Sequence, residues 1–466
     1  MKIPILSGVY TDQNGDYRVS YPRNMVPVIQ DNGITGAYIR PAPGIDRVAM
    51  STGMDRGGIN WRNEHYRVSG RHLVKISASN VVTVLGDVSG ADWCVFDYSF
   101  DRLSICGGGN LYYYDGATFE QVTDPDLGVV HDQIWVDGYF MTTDGEYLIV
   151  TELNDPMAVN PLKYGSSEID PDPVERLLKV RNEPAAINRY TTEFFRNIGG
   201  DLFPFQRISG AQITKGCVGQ RAACVLSDTI IMVGGGRNET VAVWAAGIGS
   251  AAKISTREID KVLNDYTEAQ LSGIVVESRI VDDHGFAYIH LPTVTYVYDA
   301  SASKMAQEPI WYKLTSGTGE LGKYRARGFV RVYDGWYCGD PLSQKIGKLS
   351  DAHSDQYGDA VSWDFSTKIA YNNTNGAIFH SLELVGLPGR SKLSADSSVW
   401  SDYSTDGMTW SNRQYRSAGI RGRRDQRVTW MRNGMMQSQR IQRFGGMSDA
   451  HFAITTLEAQ LEALNV

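Results

Sequence analysis

Short runs of alternating apolar and polar residues, each broken by a glycine or proline turn, recur along this chain at nearly even intervals. That rhythm restricts the fold more than any other feature. The clearest instance is residues 277–300. Phe286, Tyr288 and His290 alternate with Ala287, Ile289 and Leu291, a period of two that marks a strand. Pro292 cannot donate to a ladder, so the chain turns there. Val294, Tyr296 and Tyr298 form the second strand, and Asp299-Ala300 closes the unit. The same pattern turns at Ser69-Gly70, at the glycines of 107–109, at Asp144-Gly145, at Gly199-Gly200, at 234–236 and at 339–341. The turn centres fall near 70, 108, 145, 200, 235, 292 and 340. Most gaps are about 35 to 48 residues, and two near 55 each hold an insert. Several strands per repeat at about 40–50 residues is a propeller period. The expected fold is all-β: a propeller of about seven blades, with six as the alternative because a hairpin can belong to an incomplete blade.

The rhythm divides the chain. Residues 1–45 have little periodicity and two proline-bound turns, at 21–25 and 40–44, and read as an extended arm. An arm without a core needs a neighbour to lie on; in a propeller such a segment often supplies the outer strand that closes the last blade. Residues 46–351 carry the hairpins. The insert at about 164–184, with Glu168, Asp170, Asp172 and Glu175 beside Pro171 and Pro173, reads as an acidic exposed loop facing solvent, a lumen or a basic partner. The insert at about 255–273 reads as helical: Ser255 or Thr256 caps 257–263, Thr267 caps 268–271, and Gly273 ends it. Residues 352–466 keep period-two runs at 361–369, 377–385 and 428–431 but lose the 40-residue spacing, and read as a β-sandwich. The segment 451–461 fits a strand, or a helix through Leu457, Leu461 and Leu464.

Composition excludes several functions. A net charge of −8 argues against a generic nucleic-acid binder. The five cysteines are far apart with no CxxC, and an odd number cannot form a complete disulfide framework, so reduced thiols are expected. The start has too short an apolar run for a signal peptide, and no run of about 18 apolar residues spans a membrane. These features point to a soluble chain made in a cytoplasm. No cofactor is implied. The glycines at 107–109 and 234–236 lack the Lys-Ser/Thr and the helix of a phosphate loop. The eight histidines show no metal spacing, and Asp282-Asp283-His284 sits in a turn. Residues 404–410, STDGMTW, look like an Asp-box, a structural hairpin turn even in enzymes that contain it. No catalytic or metal-ligating residue is expected.

The strongest anomaly is electrostatic. Residues 411–443 contain Arg413, Arg416, Arg421, Arg423, Arg424, Arg427, Arg432, Arg440 and Arg443 against one acid, Asp425, and no lysine. Arginine forks pair bidentately with carboxylates or phosphates. These nine residues are the candidate partner interface, ahead of DNA contact or a plain surface.

Several strings carry a family likeness. Asp265-Tyr266-Thr267-Glu268-Ala269, Ile289-His290-Leu291-Pro292 and Val297-Tyr298-Asp299-Ala300-Ser301 resemble the packaged-DNA stabilisation proteins, the tail accessory factors or tail hubs of short-tailed phages infecting Salmonella and its relatives. Asn24-Met25, Pro43-Gly44-Ile45 and the arginines around Val428 and Trp430 are similar too. The likeness runs over nearly the whole chain and is concentrated in 265–317. It implies a structural virion protein, not an enzyme, assembled in the host cytoplasm and resident in the tail. It further implies a homo-oligomeric ring, taken as six copies, below the portal-bound head-to-tail adaptor. That ring extends the DNA conduit, lets DNA pass through its lumen without specific binding, stabilises packaged genome, and anchors tailspikes or fibres and a needle or plug. The rival reading is a glycan-binding or glycan-cleaving, sialidase-like propeller, which needs an acid, a tyrosine and arginines converging at the axial mouth.

Overall fold

The computed structural model describes residues 2–11, 17–29, 36–153, 155–372, 375–389 and 397–464. Strand accounts for 54% of the chain and helix for 5%. Two compact units form, one from 47–292 and 325–349, the other from 1–46, 293–324 and 350–466.

The first unit is the propeller. Its first blade runs Asp55–Trp61, Glu64–Ser69, His72–Ile76, Val82–Asp87, all antiparallel neighbours. The second runs Val95–Tyr98, Leu103–Gly107, Asn110–Tyr114, Phe119–Gln121. The third runs Asp132–Val136, Tyr139–Thr143, Tyr147–Glu152, Asp155–Ser166, and the fourth Val174–Val180, Glu183–Asn188, Thr192–Asn197, Phe205–Arg207. In the fifth, Ala223–Leu226 pairs with Thr229–Gly235, followed by Ala242–Gly247 and Ser250–Lys253. The sixth opens with Val275–Val281 and His284–His290. The seventh has Arg327–Val332, Gly335–Gly339 and Lys345–Ser350, with Gly44–Met50 as its fourth strand. The innermost strands settle the blade number. Each touches the next, from Asp55–Trp61 round to Arg327–Val332, which returns to touch Asp55–Trp61. Seven strands therefore close one ring.

Apolar residues on facing blades fill the spaces between them. Val68, Leu73, Leu103 and Ile105 pack with Trp61 and Tyr114, and Ile134, Met141, Leu148 and Leu177 pack with Phe195. Fully burying such a side chain stabilises by about 1.5–3 kcal/mol. All five cysteines are free and buried in this unit. Burial pushes the thiols up, Cys94 to about 11 and Cys217 to about 12.

One expected turn belongs elsewhere in its blade. Gly199-Gly200 joins the outer strands Thr192–Asn197 and Phe205–Arg207, whereas the turn equivalent to the others is Arg189-Tyr190-Thr191. It lies about 45 residues from both neighbouring turns, which restores the even period. It contains no glycine or proline because a side chain from outside holds it: Asp172 accepts from the Tyr190 N–H at 2.6 Å and the Thr191 N–H at 3.2 Å. The expected acidic loop is correspondingly short. Residues 164–166 finish an outer strand and Val174–Val180 begins the fourth blade, leaving 167–173 as loop. The helical insert forms as Arg257–Asn264 and Glu268–Ser272, the second opened by the Thr267 N–H donating to Gln270 Oε1 at 3.0 Å.

The second unit is the sandwich. One sheet orders Met25–Ile29, Ala37–Pro41, Ile454–Ala463, Ala377–Gly386 and Val428–Met431. The other orders Ser362–Ser366, Gln439–Met447, Ser398–Ser404 and Gln414–Ser417. Phe379, Leu382, Trp430, Phe444 and Leu457 fill the space between. The 451–461 segment is strand rather than helix, with Leu457 opposite Leu384.

Residues 1–45 differ from the extended arm read in the sequence. Met25–Ile29 and Ala37–Pro41 form a hairpin within the first sheet, and Ile3, Ile5, Met25 and Ile39 enter the sandwich core. Arg23 fixes the approach: its guanidinium pairs with Asp364 and donates to Ser362 Oγ at 2.9 Å and to the Gly319 carbonyl at 2.7 Å. Pro27 interrupts the alternation that would have revealed the strand, and the hairpin tip lies outside the described residues. A third helix, Ala300–Ala306, follows what reads as an exit turn; Asp299 caps it, accepting from the Ala302 N–H at 2.8 Å.

Candidate partner-binding surfaces and the propeller axis

The sandwich separates the nine arginines of 411–443 into two groups. Arg440 is 1% exposed. Its guanidinium lies 3.8 Å from the Tyr403 ring and 4.2 Å from that of Phe379, and donates to Gln442 Oε1 at 2.8 and 3.0 Å and to the Asn433 carbonyl at 2.6 Å. Burial lowers it to about 10. It cannot reach a partner, which removes it from the candidate interface. Arg443 pairs with buried Asp402 at 2.8 Å and lies 4.1 Å over Trp410. Burial works against its charge, but the Asp402 bond outweighs it and raises the guanidinium. Both residues sit on Gln439–Met447, a central strand that the sequence does not advertise, since arginine and glutamine occupy positions where apolar residues are expected.

Arg413, Arg416 and Arg427 are tied to their own unit but stay near the surface. Arg413 lies 4.0 Å over Trp400, Arg416 Nε donates to the Thr429 carbonyl at 3.0 Å, and Arg427 pairs with Glu383. Arg421, Arg423, Arg424 and Arg432 are exposed. Arg423 has a 3.6 Å contact with Asp425, which is also exposed, and Arg424 donates to the Pro388 carbonyl at 3.2 Å. Arg421 and Arg424 line a cavity of about 400 Å³ with His353, His451, Asp351 and Asp449.

The acid-rich stretch is less free than its composition implies. Glu168 is exposed. Asp170 pairs with Arg237 at 2.8 Å, and Asp172 is engaged by the 190–191 turn. Glu175 is partly buried, and burial raises its carboxyl.

The Asp-box forms the structural turn expected of it. Asp406 accepts from the Met408 and Thr409 N–H groups at 2.8 Å and from the Thr409 and Ser404 hydroxyls, while Gly407 adopts φ +77°. The Thr409 hydroxyl first, then the two backbone donors, hold Asp406 well below the usual carboxylate range.

A second arginine group, missed in the sequence, lies where the innermost strands converge. Arg67 is fully buried, bonds Asp55 at 2.7 Å and donates to the Arg327 carbonyl at 3.3 Å. Arg56 donates to the carbonyls of Gly70, Val88, Ser89 and Asp92. Glu277 accepts from the Gly328 and Phe329 N–H groups at 2.9 and 3.0 Å; burial nevertheless raises its carboxyl. Arg176 bonds Asp132 at 3.1 Å. Gln220 and Arg221, entering from the fifth blade, donate to the carbonyls of His131 and Cys94 at the start of the third and second. Two side chains thus cross the ring of inner strands. A signal for this exists: Asp55-Arg56, Asp97, Asp132, Arg176, Arg221, Glu277 and Arg327 place a charge on or beside every inner strand at the blade period.

Arg56 and Arg67 spend their donors inside the propeller. A carboxylate-binding cluster must offer donors to a ligand, whereas those of Arg56 and Arg67 go to carbonyls, to Asp55 and to His65 within the protein. Among the described residues no group of His, Cys, Asp or Glu is arranged to hold a metal ion, and no helix is long and apolar enough to cross a membrane.

The fold is that of a seven-bladed β-propeller followed by a β-sandwich. The comparisons agree. Residues 1–354 match the family model described as Bacteriophage P22 Gp10, beta-propeller, and residues 362–462 match Bacteriophage P22 Gp10, beta-sandwich. The chain belongs to this family, and it is a structural protein of a phage tail. It is 26% identical over 461 residues to the tail hub protein gp10 of Salmonella phage P22, covering 94% of each chain. Among solved structures it is similar to the Neurospora crassa Pan2 WD40 domain, with 10% identity and a TM-score of 0.43 over 66% of this chain and 95% of that one. The N-terminal domain of Nup159 is similar too, with 10% identity and a TM-score of 0.41 over 75% and 98%.

Proposed function

We propose that copies of this chain, taken as six, assemble as the tail hub, a ring below the portal-bound adaptor. The ring extends the DNA conduit, helps to retain packaged genome, and carries tailspikes or fibres and a needle or plug. The observation that carries this reading is the crossing of the propeller axis by Gln220 and Arg221. A propeller spanned by its own side chains is a stiff wall element. The lumen then lies between copies, not through each one.

The charge fits that role. DNA must slide, and a wall rich in phosphate-neutralising cations would hold it through counterion release. A chain of net −8 avoids this. Exposed Glu168 is the remaining candidate of the acidic loop for the lumen or a partner, since Asp170, Asp172 and Glu175 are held within the propeller.

Electron microscopy of the purified chain with its adaptor tests the reading. The expected image is a six-fold ring with an open centre; copies that stay solitary beside the adaptor would overturn it. Glycosidase and glycan-array assays are expected to give no signal, and hydrolysis or retention of a host polysaccharide would favour the glycan-active alternative.

A further inference from the structure

We propose that the flank of the sandwich formed by Gln414–Ser417, the loop 418–427 and Val428–Met431 is a docking surface, and that its occupant is the acidic surface of a second copy of this chain. The proposal rests on the tail-hub reading above and adds the contact that would build the ring.

The surface is a double edge. Among the described residues, Gln414–Ser417 is the last strand of one sheet, paired only to Ser398–Ser404. Among the same residues, Val428–Met431 is the last strand of the other, paired only to Ala377–Gly386. The two edges adjoin: Arg416 Nε donates to the Thr429 carbonyl at 3.0 Å, and Trp430 Nε1 donates to the Gln414 carbonyl at 2.9 Å. The loop connecting them carries Arg421, Arg423 and Arg424, all exposed. Among the described residues both sheets therefore stop along one flank, and the loop 418–427 joins the two edges.

What that flank shows to solvent is unlike ordinary surface. Tyr415, Ile420 and Met431 are 56%, 57% and 60% exposed. Arginine, tyrosine and methionine are the residues enriched at protein–protein interfaces, where lysine and glutamate are depleted. Residues 411–443 contain no lysine and no glutamate. A solvated edge is normally protected by lysine. This one is not.

The charge identifies the occupant. The flank and Arg432 directly after it, residues 414–432, carry six arginines and one aspartate in a chain of −8, so the rest of the chain sums to −13. A second copy therefore offers the complementary field over most of its surface. The flank cannot meet its own equivalent across a two-fold axis, because arginine would face arginine. The contact must be heterologous, head to tail, and such a contact closes into a ring when its rotation permits.

The experiment is sedimentation of the full chain alone, over a dilution series at low and high salt, with thermal melting of each variant. The wild type is expected to form a ring-sized species that dissociates as salt screens the contact. The variant carrying Arg421→Glu, Arg423→Glu and Arg424→Glu is expected to weaken assembly on the order of 100-fold, as loss of interfacial charge pairs does, with melting unchanged. Tyr415→Glu with Met431→Glu should do the same through the apolar half. Should the triple variant melt early, Arg421→Ser with Arg432→Ser replaces it. Rings that persist in every variant overturn the proposed surface while leaving the tail-hub reading intact. A wild type that stays single alone, and whose adaptor binding the triple variant abolishes, also overturns it, since the occupant is then the adaptor. Absence of any ring on the adaptor is a separate result that removes the tail-hub reading itself.

Discussion

In the propeller, Arg56 and Arg67 are 3% and 0% exposed and their donors end on named carbonyls, on Asp55 and on His65. In the sandwich, Arg421 and Arg432 are exposed and their side chains bond nothing among the described residues. The residue type is the same and the consequences are opposite. A buried guanidinium is costly unless its charge and donors are matched, and those of Arg56 and Arg67 are taken up by groups of the same chain. An exposed one in an arginine-rich stretch contributes little to its own fold, and under the proposed docking it meets another surface. The first group holds one chain together. The second is the one the proposed docking would use.

The largest effect should come from the first group. Replacing Arg67 with Ala leaves Asp55 buried without its counter-charge, with an expected loss of about 3–5 kcal/mol. Gly339 is part of the same fit, since a Cβ there would collide with the Asp55 side chain. Urea unfolding measures the loss. Thiol labelling locates it, because all five cysteines are buried in the propeller and none lies in the sandwich. The wild type should label slowly at mildly alkaline pH, with Cys94 near 11 and Cys217 near 12, and the Arg67→Ala variant much faster. An unchanged labelling rate would mean that the axial network does not hold the blades.

Arg440 is the exception inside the second group, and its removal sharpens the contrast. Arg440→Ala empties the space between Phe379 and Tyr403 and leaves Gln442 Oε1 without either donor. A buried acceptor left unsatisfied costs about 1–3 kcal/mol. The expectation is a stability loss in that range with no direct effect on assembly, read by melting and sedimentation together. Sequence density alone would have placed Arg440 with Arg421.

How far the sequence carries follows from this. Period-two alternation and glycine turns are local, so the blades, the helical insert and the Asp-box turn are legible. Features held from a distance are not. The 190–191 turn has no turn residue because Asp172 supplies its hydrogen bonds. The 25–41 hairpin finds its neighbours more than 400 residues away, where Ile39 meets Ile454. The arginine stretch was visible as charge, but exposure, which divides it, is set by strand pairing. The axial arginines were visible only as one charge per blade, a pattern noticed once the inner strands are aligned.

Asp406 gives a smaller effect with a direction in pH. Its side chain holds a turn by accepting two backbone N–H bonds, much as a capping residue does, so Asp406→Ala should cost about 1 kcal/mol. Its carboxyl is depressed in the folded state. The stabilisation is therefore complete above the unfolded value of about 3.9 and is lost as pH falls below it. Wild type and variant should converge in melting temperature on acidification. A difference that persists at low pH would mean that packing, not the carboxylate, holds the turn.

The smallest effect is expected where the charge is most conspicuous. Arg421→Ser with Arg432→Ser removes two exposed cations that bond nothing within the described chain. Surface substitutions of this kind change stability by no more than about 0.5 kcal/mol. Melting should therefore be indistinguishable from wild type while assembly weakens. That pairing of results is what separates an arginine kept for another surface from one kept for the fold. A drop in melting temperature comparable to that of Arg440→Ala would place these residues in the fold's own network and erase the distinction between the two groups.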